Sequence, residues 1–188
     1  MGRLLGQHIT WIRSIHPEYD CKVYVETGLL NGDQLSLSSP YFEVAHGIEL
    51  NNYYYEITKA RMAPAAHVRV HRGDSRILLP EILEPYADQT CFFYLDAHYF
   101  LPIVHKAVPK TEFPLWTELD IIRKRKVRDI IVIDDADLFG KDRPDLKFSE
   151  TSKDWESVTG RTLLDFFGNQ AQDSLTVRDT FVLWKAGT

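Results

Sequence analysis

The sequence VYVETGLLNGDQ, residues 23–34, joins a strand pattern to a glycine-containing turn. Its β-branched and aromatic start, Val23–Val25, predicts a strand, and the acid Glu26 follows at once. Gly28 and Gly32 then mark a loop, and the pattern becomes helical from Asp33 onward. Glycines this close together indicate that the backbone approaches something closely here.

Similar apolar runs recur along the chain and alternate with segments of helical period, which is typical of an α/β fold with a mostly parallel sheet. The predicted strands are Lys22–Glu26, Glu43–Glu49, His67–His71, Cys91–Asp96 and Asp129–Asp134. The predicted helices between them are Asp33–Ser39, Asn52–Met62, Ser75–Leu83 and Leu115–Lys126, the third of which is capped by Asp74 or Ser75.

The pattern changes after the fifth strand. Residues 141–156 are polar and predict a loop, and Thr162–Phe167 predicts a short helix. The sequence SLTVRDTFVLWK, residues 174–185, then predicts two strands around Arg178 and Asp179. This ending indicates an antiparallel hairpin on an otherwise parallel sheet.

Bulk properties narrow the class of protein. The 188 residues, of which 44% are hydrophobic, fit a single domain over 1–188. A formal charge of −5 argues against nucleic-acid binding. Neither a signal peptide nor a run of about 18 apolar residues is found, so we expect no membrane partner. The two cysteines, Cys21 and Cys91, favour reduced thiols in a cytoplasmic protein.

Acids follow the predicted strands at the edge where open α/β sheets bind ligands. These acids are Glu26, Glu49, Asp74, Asp96 and Asp134. Capping of helix N-termini explains any one of them, but it explains the whole set poorly. Clustered carboxylates repel each other unless positive or hydrogen-bonding groups lie among them. Two ligands meet this condition: a cationic cofactor rich in hydroxyls, and a metal ion.

The glycine loop differs from the G-x-G-x-x-G fingerprint of dinucleotide binding. It lacks the central and final glycines, and Asp33 stands where a phosphate would lie, which is unfavourable for NAD. A phosphate-free cofactor with a sulfonium group would tolerate this acid. Glu49, 21 residues after Gly28, ends the second strand, where an acid commonly accepts hydrogen bonds from ribose hydroxyls.

Four motifs in order resemble those of the class I S-adenosylmethionine-dependent methyltransferases, over nearly the whole chain: VETGLLNG (25–32), GIEL (47–50), HRGDS (71–75) and FFYLDAHY (92–99). The resemblance implies a Rossmann-like three-layer sandwich whose seven-stranded, mostly parallel sheet ends in an antiparallel hairpin. It also implies S-adenosylmethionine as cofactor. The implied cofactor-binding residues are Glu26, Thr27, Gly28, Gly32, Glu49, Asp74, Ser75 and Asp96.

Within that class, LDAHY (95–99) followed by IIVIDDADLF (130–139) is similar to the metal-dependent macrocin-type O-methyltransferases. This resemblance implies that Asp96, Asp134 and Asp135 hold Mg²⁺. His98 stands where those enzymes usually have another acid, so a metal-independent methyltransferase stays an alternative.

Methyl transfer requires alignment of the two partners and removal of the acceptor's proton. His98 is the leading candidate base because its ordinary pKa is near neutrality, although a structural hydrogen bond to a loop carbonyl would also explain it. Asp96 is the second candidate catalytic residue. The resemblance implies a small acceptor, a hydroxylated natural product or a sugar, which the loops at 100–114 and 141–156 would enclose.

The sequence is also compatible with different classes of protein. A nicotinamide-dependent oxidoreductase is opposed by the missing glycines, and it would require NAD(P) binding. A non-catalytic cofactor-binding module predicts cofactor binding without turnover. Transfer to nitrogen instead of oxygen, and a homodimer instead of a monomer, both stay open as well.

Overall fold

The computed structural model of the chain describes residues 4–97, 113–141 and 154–188. These residues form a seven-stranded sheet with the order β3-β2-β1-β4-β5-β7-β6. The strands are β1 (Val23–Thr27), β2 (Val44–Glu49), β3 (Val68–Arg72), β4 (Cys91–Leu95), β5 (Asp129–Ile133), β6 (Ala171–Val177) and β7 (Thr180–Lys185). The α-helices are α1 (Gly6–Ile15), α2 (Asp33–Ser38), α3 (Asn52–Met62), α4 (Ser75–Leu83), α5 (Leu115–Arg123) and α6 (Gly160–Phe167).

Helices cover both faces of the sheet. Alternate residues of the same strand enter different apolar clusters, as Tyr24 and Val25 of β1 do, because successive side chains point to opposite faces. One cluster joins the sheet to α1, α2 and α3, and the other joins it to α4, α5 and α6. Burial on both faces explains why β4 and β5 are continuous apolar runs instead of alternating ones.

The C-terminal strands form the predicted hairpin. β6 and β7 are antiparallel, Val177 pairs with Thr180, and Arg178 and Asp179 form the turn between them. Arg178 has a φ of 58°, which a two-residue hairpin turn requires. β7 also pairs antiparallel with β5, so it lies between β5 and β6. The three-layer α/β fold and its antiparallel ending are thus confirmed.

The predicted boundaries differ from the observed ones by a few residues at most, except at the N-terminus. α3 and α4 have the predicted bounds, and the carboxylate of Asp74 caps α4 by accepting a hydrogen bond from the amide of Arg76 at 2.9 Å. α1 was not predicted. It forms because Ile9 and Ile12, three residues apart, are both fully buried against the sheet.

A charged cluster closes the amino end of the sheet, away from the strand ends that carry the acids. Asp129 is fully buried and accepts hydrogen bonds from the amide of Cys91 and from Nε of Arg125, both at 3.0 Å. Nζ of the buried Lys185 lies 3.9 Å from the same carboxylate and donates to the carbonyl oxygens of Arg125 and Val127. Cys21 and Cys91 are both buried and free.

Among residues 4–97, 113–141 and 154–188, none of the helices combines the length and the apolar character needed to cross a bilayer.

Candidate functional site

The parallel strands bring the strand-end acids to one edge of the sheet. The main-chain ladder continues one residue beyond the strands: the amide of Asp96 donates to the carbonyl oxygen of Thr27 at 3.0 Å, and that of Asp134 donates to Leu95 at 3.1 Å. On the other side of β1, the amide of Gly28 donates to Ile48 at 3.0 Å. The residues after β1, β2, β4 and β5 are therefore neighbours, as the sequence predicts.

The glycines of the loop after β1 make room for the chain's own atoms. A Cβ on Gly28 would lie 2.2 Å from the carbonyl oxygen of Asp96, and one on Gly32 would lie 2.6 Å from Cγ2 of Thr58. Both glycines have a positive φ, 78° and 70°, as does Leu30 at 47°. The loop is consequently held between the segment after β4 and helix α3.

Glu49 organises this loop through its carboxylate. Its Oε2 accepts hydrogen bonds from the amides of Leu29, at 2.9 Å, and Leu30, at 3.0 Å, and its Oε1 accepts one from Asn51 at 2.7 Å. Burial raises the pKa of Glu49, while these amides oppose the rise by stabilising the ionised form. Glu49 thus joins the end of β2 to the turn of the glycine loop.

Glu26 and Thr27 are both buried at the end of β1. The hydroxyl of Tyr24 donates to Oε2 of Glu26 at 2.5 Å. Burial raises the pKa of Glu26 to about 8, and the nearby carboxylate of Asp134 contributes to the rise. Oγ1 of Thr27 has no hydrogen-bond partner among the described residues.

Asp74 and Ser75 begin α4 at the end of β3. Nη2 of Arg76 lies 2.6 Å from Oδ2 of Asp74, and these contacts with Arg76 hold the pKa of Asp74 below its ordinary value. Ser75 is buried beside Glu118 of α5. The start of α4 is therefore tied both to its own first turn and to the next helix.

Glu118 is a residue that the sequence analysis missed. It is buried, and its Oε1 has no hydrogen-bond partner among the described residues. Burial raises its pKa to about 7, a rise that the nearby hydroxyl of Ser75 opposes. The sequence pattern does indicate that Glu118 is buried, because it lies three residues after Leu115 and four before Ile122, on the apolar face of α5.

Three aspartates form a compact acidic cluster. Carboxylate oxygens of Asp134, Asp135 and Asp179 all lie within 4.8 Å of one another. Asp134 is only 6% exposed, and Oδ1 of Asp134 and Oδ1 of Asp179 are buried without a hydrogen-bond partner among residues 4–97, 113–141 and 154–188. The pKa of Asp134 is raised to about 7. Burial is the largest cause, and the neighbouring carboxylate of Asp135 is the second largest.

Asp96 lies beside this cluster but outside its three members. Burial raises the pKa of Asp96, and the carboxylates of Asp134 and Asp135 raise it further, so the three charges interact. Of the ligands predicted from the sequence, Asp134 and Asp135 are thus brought together, and Asp96 is their neighbour. The third member of the cluster is Asp179, which was not among the predicted ligands. The only feature of the sequence that points to Asp179 is its position in the predicted hairpin turn.

His98, the predicted base, lies outside the described residues, as do most of the two loops predicted to enclose the acceptor. Within the described residues, the site consists of the loop after β1, the strand-end acids and the cluster beside the β6–β7 turn. This arrangement can hold a polar cofactor next to a group of oxygens suited to a hard cation.

Solved structures share this fold. A protein assigned as a caffeoyl-CoA O-methyltransferase from Staphylococcus aureus matches 99% of this chain and 86% of its own at 14% identity, with a TM-score of 0.65. An S-adenosylhomocysteine-bound methyltransferase from Podospora anserina matches 95% and 77% at 12% identity, with a TM-score of 0.60.

An O-methyltransferase from Bacillus cereus in complex with S-adenosylhomocysteine matches 97% of this chain and 82% of its own at 15% identity, with a TM-score of 0.56. No protein-family profile matches the chain, and no curated protein matches it either. At these identities the similarity shows the fold, which is that of the S-adenosylmethionine-dependent O-methyltransferases. The resemblance drawn from the sequence motifs is confirmed to this extent.

Proposed function

We propose that the protein is an S-adenosylmethionine-dependent methyltransferase that acts on a small molecule, and that it methylates a hydroxyl with the help of a divalent cation. One observation carries the proposal: the glycine loop held by Glu49 lies at the same sheet edge as the buried, unpartnered carboxylate oxygens of Asp134 and Asp179. The fold supports it, because relatives of the same fold hold S-adenosylhomocysteine.

The cofactor would lie across the ends of β1 and β2. Glu49 uses three acceptor positions for backbone amides. An ionised carboxylate offers about four such positions, and the amide of Leu50 also stabilises its charge, so a ribose hydroxyl would share the fourth position with that amide. The other residues proposed to contact the cofactor border the same edge: Glu26, Thr27, Gly28, Gly32, Asp74, Ser75 and Asp96.

The described residues fit a divalent cation. Two buried carboxylate oxygens lack donors, and mutual repulsion helps to raise the pKa values of Asp96 and Asp134, which a cation among them would reverse. Carboxylate oxygens are the ligands that Mg²⁺ prefers. Asp96, Asp134 and Asp135 would hold the ion, which would lower the pKa of an acceptor hydroxyl.

His98 remains the proposed base of a metal-independent variant of this reaction. A hydroxylated natural product or sugar as acceptor, a single domain over 1–188 and a cytoplasmic location remain predictions, and a monomer and a homodimer both stay open.

The proposal is tested first by thermal unfolding of the full chain with S-adenosylhomocysteine. At about 100 times its Kd, a ligand stabilises the fold by about 2.7 kcal/mol. For a protein of this size, that corresponds to a rise in Tm of about 5 to 11 °C. The scan is repeated with NAD, because Arg61 forms an ion pair with Asp33 and so offsets part of the charge that disfavours a pyrophosphate.

Each result has a distinct meaning. A rise with S-adenosylhomocysteine and none with NAD supports the proposed cofactor, whereas the reverse supports an oxidoreductase. Methyl transfer to hydroxylated acceptors that EDTA abolishes and Mg²⁺ restores supports the cation. Transfer that survives EDTA supports the metal-independent variant, and cofactor binding without transfer to any acceptor supports a non-catalytic module.

A further inference from the structure

We propose that Asp179, in the turn between β6 and β7, is a ligand of the divalent cation, so that the ion joins the C-terminal hairpin to the loop after β5. This inference rests on the proposed function, because the cation is the one that would assist methyl transfer. It adds a ligand from a part of the chain distant in sequence from the aspartates that the motifs indicate.

The distances within the cluster suit a shared ion. Each of Asp134, Asp135 and Asp179 offers one carboxylate oxygen, and these three atoms lie within 4.8 Å of one another. Three oxygens no more than 4.8 Å apart can be at most about 2.8 Å from a common centre, which is close to the metal–oxygen distances of about 2.0 to 2.6 Å for Mg²⁺ and Ca²⁺. The three oxygens therefore need little movement to contact a single ion.

Unpartnered oxygens are an independent indication of a ligand at this place. Asp134 is 6% exposed, and its Oδ1 has no hydrogen-bond partner among the described residues. Oδ1 of Asp179 is also buried and also lacks a hydrogen-bond partner among the described residues. Leaving one buried polar atom unsatisfied costs about 1 to 3 kcal/mol, and more for a charged group. Neither residue forms an ion pair with a lysine or arginine of the described residues, so a cation is the group that would offset this cost.

The backbone holds Asp179 in place without help from its side chain. The amide of Ala136, directly after Asp135, donates to the main-chain carbonyl oxygen of Asp179 at 2.6 Å. Pairing of Ile133 with Phe181 continues the β5–β7 ladder up to this point. Hydrogen bonds on both sides of the cluster thus fix the hairpin turn against the loop after β5, and a ligand on a fixed backbone costs little ordering entropy.

The test measures Mn²⁺ binding to the full chain after dialysis against EDTA, by calorimetry and by electron paramagnetic resonance of the free ion. The wild type should bind one Mn²⁺, and Asp134→Asn should lose this binding. Partners outside the coordination shell alone change metal affinity by about 10- to 100-fold, so Asp179→Asn, which removes a ligand carboxylate, should raise the Kd for Mn²⁺ by more than about 100-fold. A smaller rise would put Asp179 outside the coordination shell and overturn the inference. The matched control is Asp137→Asn, which removes the same charge from an exposed position near the cluster and should change the Kd by less than about 2-fold.

S-adenosylhomocysteine binding in EDTA separates this inference from the proposed function. The wild type and the control Asp137→Asn should bind it alike. An Asp179→Asn protein that binds Mn²⁺ like the wild type overturns the inference and leaves the proposed function standing. A wild type that binds S-adenosylhomocysteine but no Mn²⁺ overturns the inference together with the cation's part in the proposed function, and it leaves only the metal-independent variant. A wild type that binds no S-adenosylhomocysteine overturns the proposed function itself.

A second measurement needs no variant. Mg²⁺ should slow hydrogen exchange of the Ala136 amide in the wild type, because an ion shared by Asp135 and Asp179 would raise the free energy of the local opening that breaks the hydrogen bond between Ala136 and Asp179. Unchanged exchange at a saturating concentration of Mg²⁺ overturns the inference even where Asp179→Asn fails to fold.

Discussion

Gly28 lies directly against the main chain of Asp96: a Cβ atom at Gly28 would be 2.2 Å from the carbonyl oxygen of Asp96 and 2.6 Å from its carbonyl carbon. The amide of the same residue donates to the carbonyl oxygen of Thr27 and so holds this segment of the chain beside β1. The first glycine of the loop is therefore required by the fold itself, before any ligand is considered.

Gly28→Ala should accordingly lower the free energy of unfolding strongly, by more than the ~1 to 2 kcal/mol of a left-handed backbone alone. Gly140→Ala is the control, because Gly140 also has a positive φ, 69°, but a Cβ there would meet only Cγ2 of Thr159, at an ordinary contact distance of 3.5 Å. Urea unfolding of both variants measures the difference. Equal losses at the two positions would show that the contact with Asp96 is unimportant.

Glu49→Gln should weaken cofactor binding by about 10-fold or more, which corresponds to about 1.4 kcal/mol. Glutamine has one acceptor oxygen where the carboxylate has two, so at least one of the amides of Leu29, Leu30 and Asn51 would lose its partner and the loop would lose its shape. Calorimetry with S-adenosylhomocysteine measures the effect. Glu56→Gln on the exposed side of α3 serves as control, and an unchanged affinity in Glu49→Gln would contradict the prediction.

Glu118→Gln should gain stability relative to the wild type as the pH rises. The folded pKa of Glu118, about 7, is above its ordinary value of 4.5. The wild type therefore has its full stability below the ordinary value and loses part of it as the pH rises towards and through about 7, at up to about 1.4 kcal/mol per pH unit. Glutamine does not titrate, so the variant lacks this loss.

Urea unfolding at about pH 5 and about pH 8 checks this sign. Glu81→Gln, an exposed position on α4, should show no such change relative to the wild type. A constant difference between Glu118→Gln and the wild type across this range would mean that Glu118 ionises in the folded protein as easily as in the unfolded chain.

Asp129→Asn should destabilise the fold by about 3 to 5 kcal/mol, because it leaves Arg125 and Lys185 buried without their counter-charge. The matched control is Asp120→Asn, which breaks largely exposed pairs with Arg123 and Lys124 and should cost less than about 1 kcal/mol. Thermal unfolding near neutral pH compares the two, and a loss at Asp129 no larger than that at Asp120 would be incompatible with a buried ionic cluster.

The sequence predicts the position of a site residue correctly where that position follows from a local strand pattern and from the geometry of a parallel sheet. Parallel strands such as β4 and β5 are apolar runs, and their ends meet at one edge, so the positions of Asp96 and Asp134 could be predicted from the runs alone. Asp179 could not, because it reaches the site through a tertiary contact that periodicity does not encode. For Glu118, periodicity indicates burial on the apolar face of α5, but it does not indicate that Ser75 lies beside it. The helix α1 was missed for a related reason, since its few buried residues are interspersed with polar ones.

The position of β7 between β5 and β6 also sets an order of events during synthesis. β1, β2, β3 and β4 can pair with their neighbours as they leave the ribosome, but β5 keeps one open edge until residues 180–185 have been made. All five of its residues are buried in the finished sheet, so a nascent chain that stalls before that point exposes an apolar strand edge. Chains that end before residue 180 should therefore be retained by chaperones. The pairing of β7 with β5 that completes the sheet should occur only late in translation.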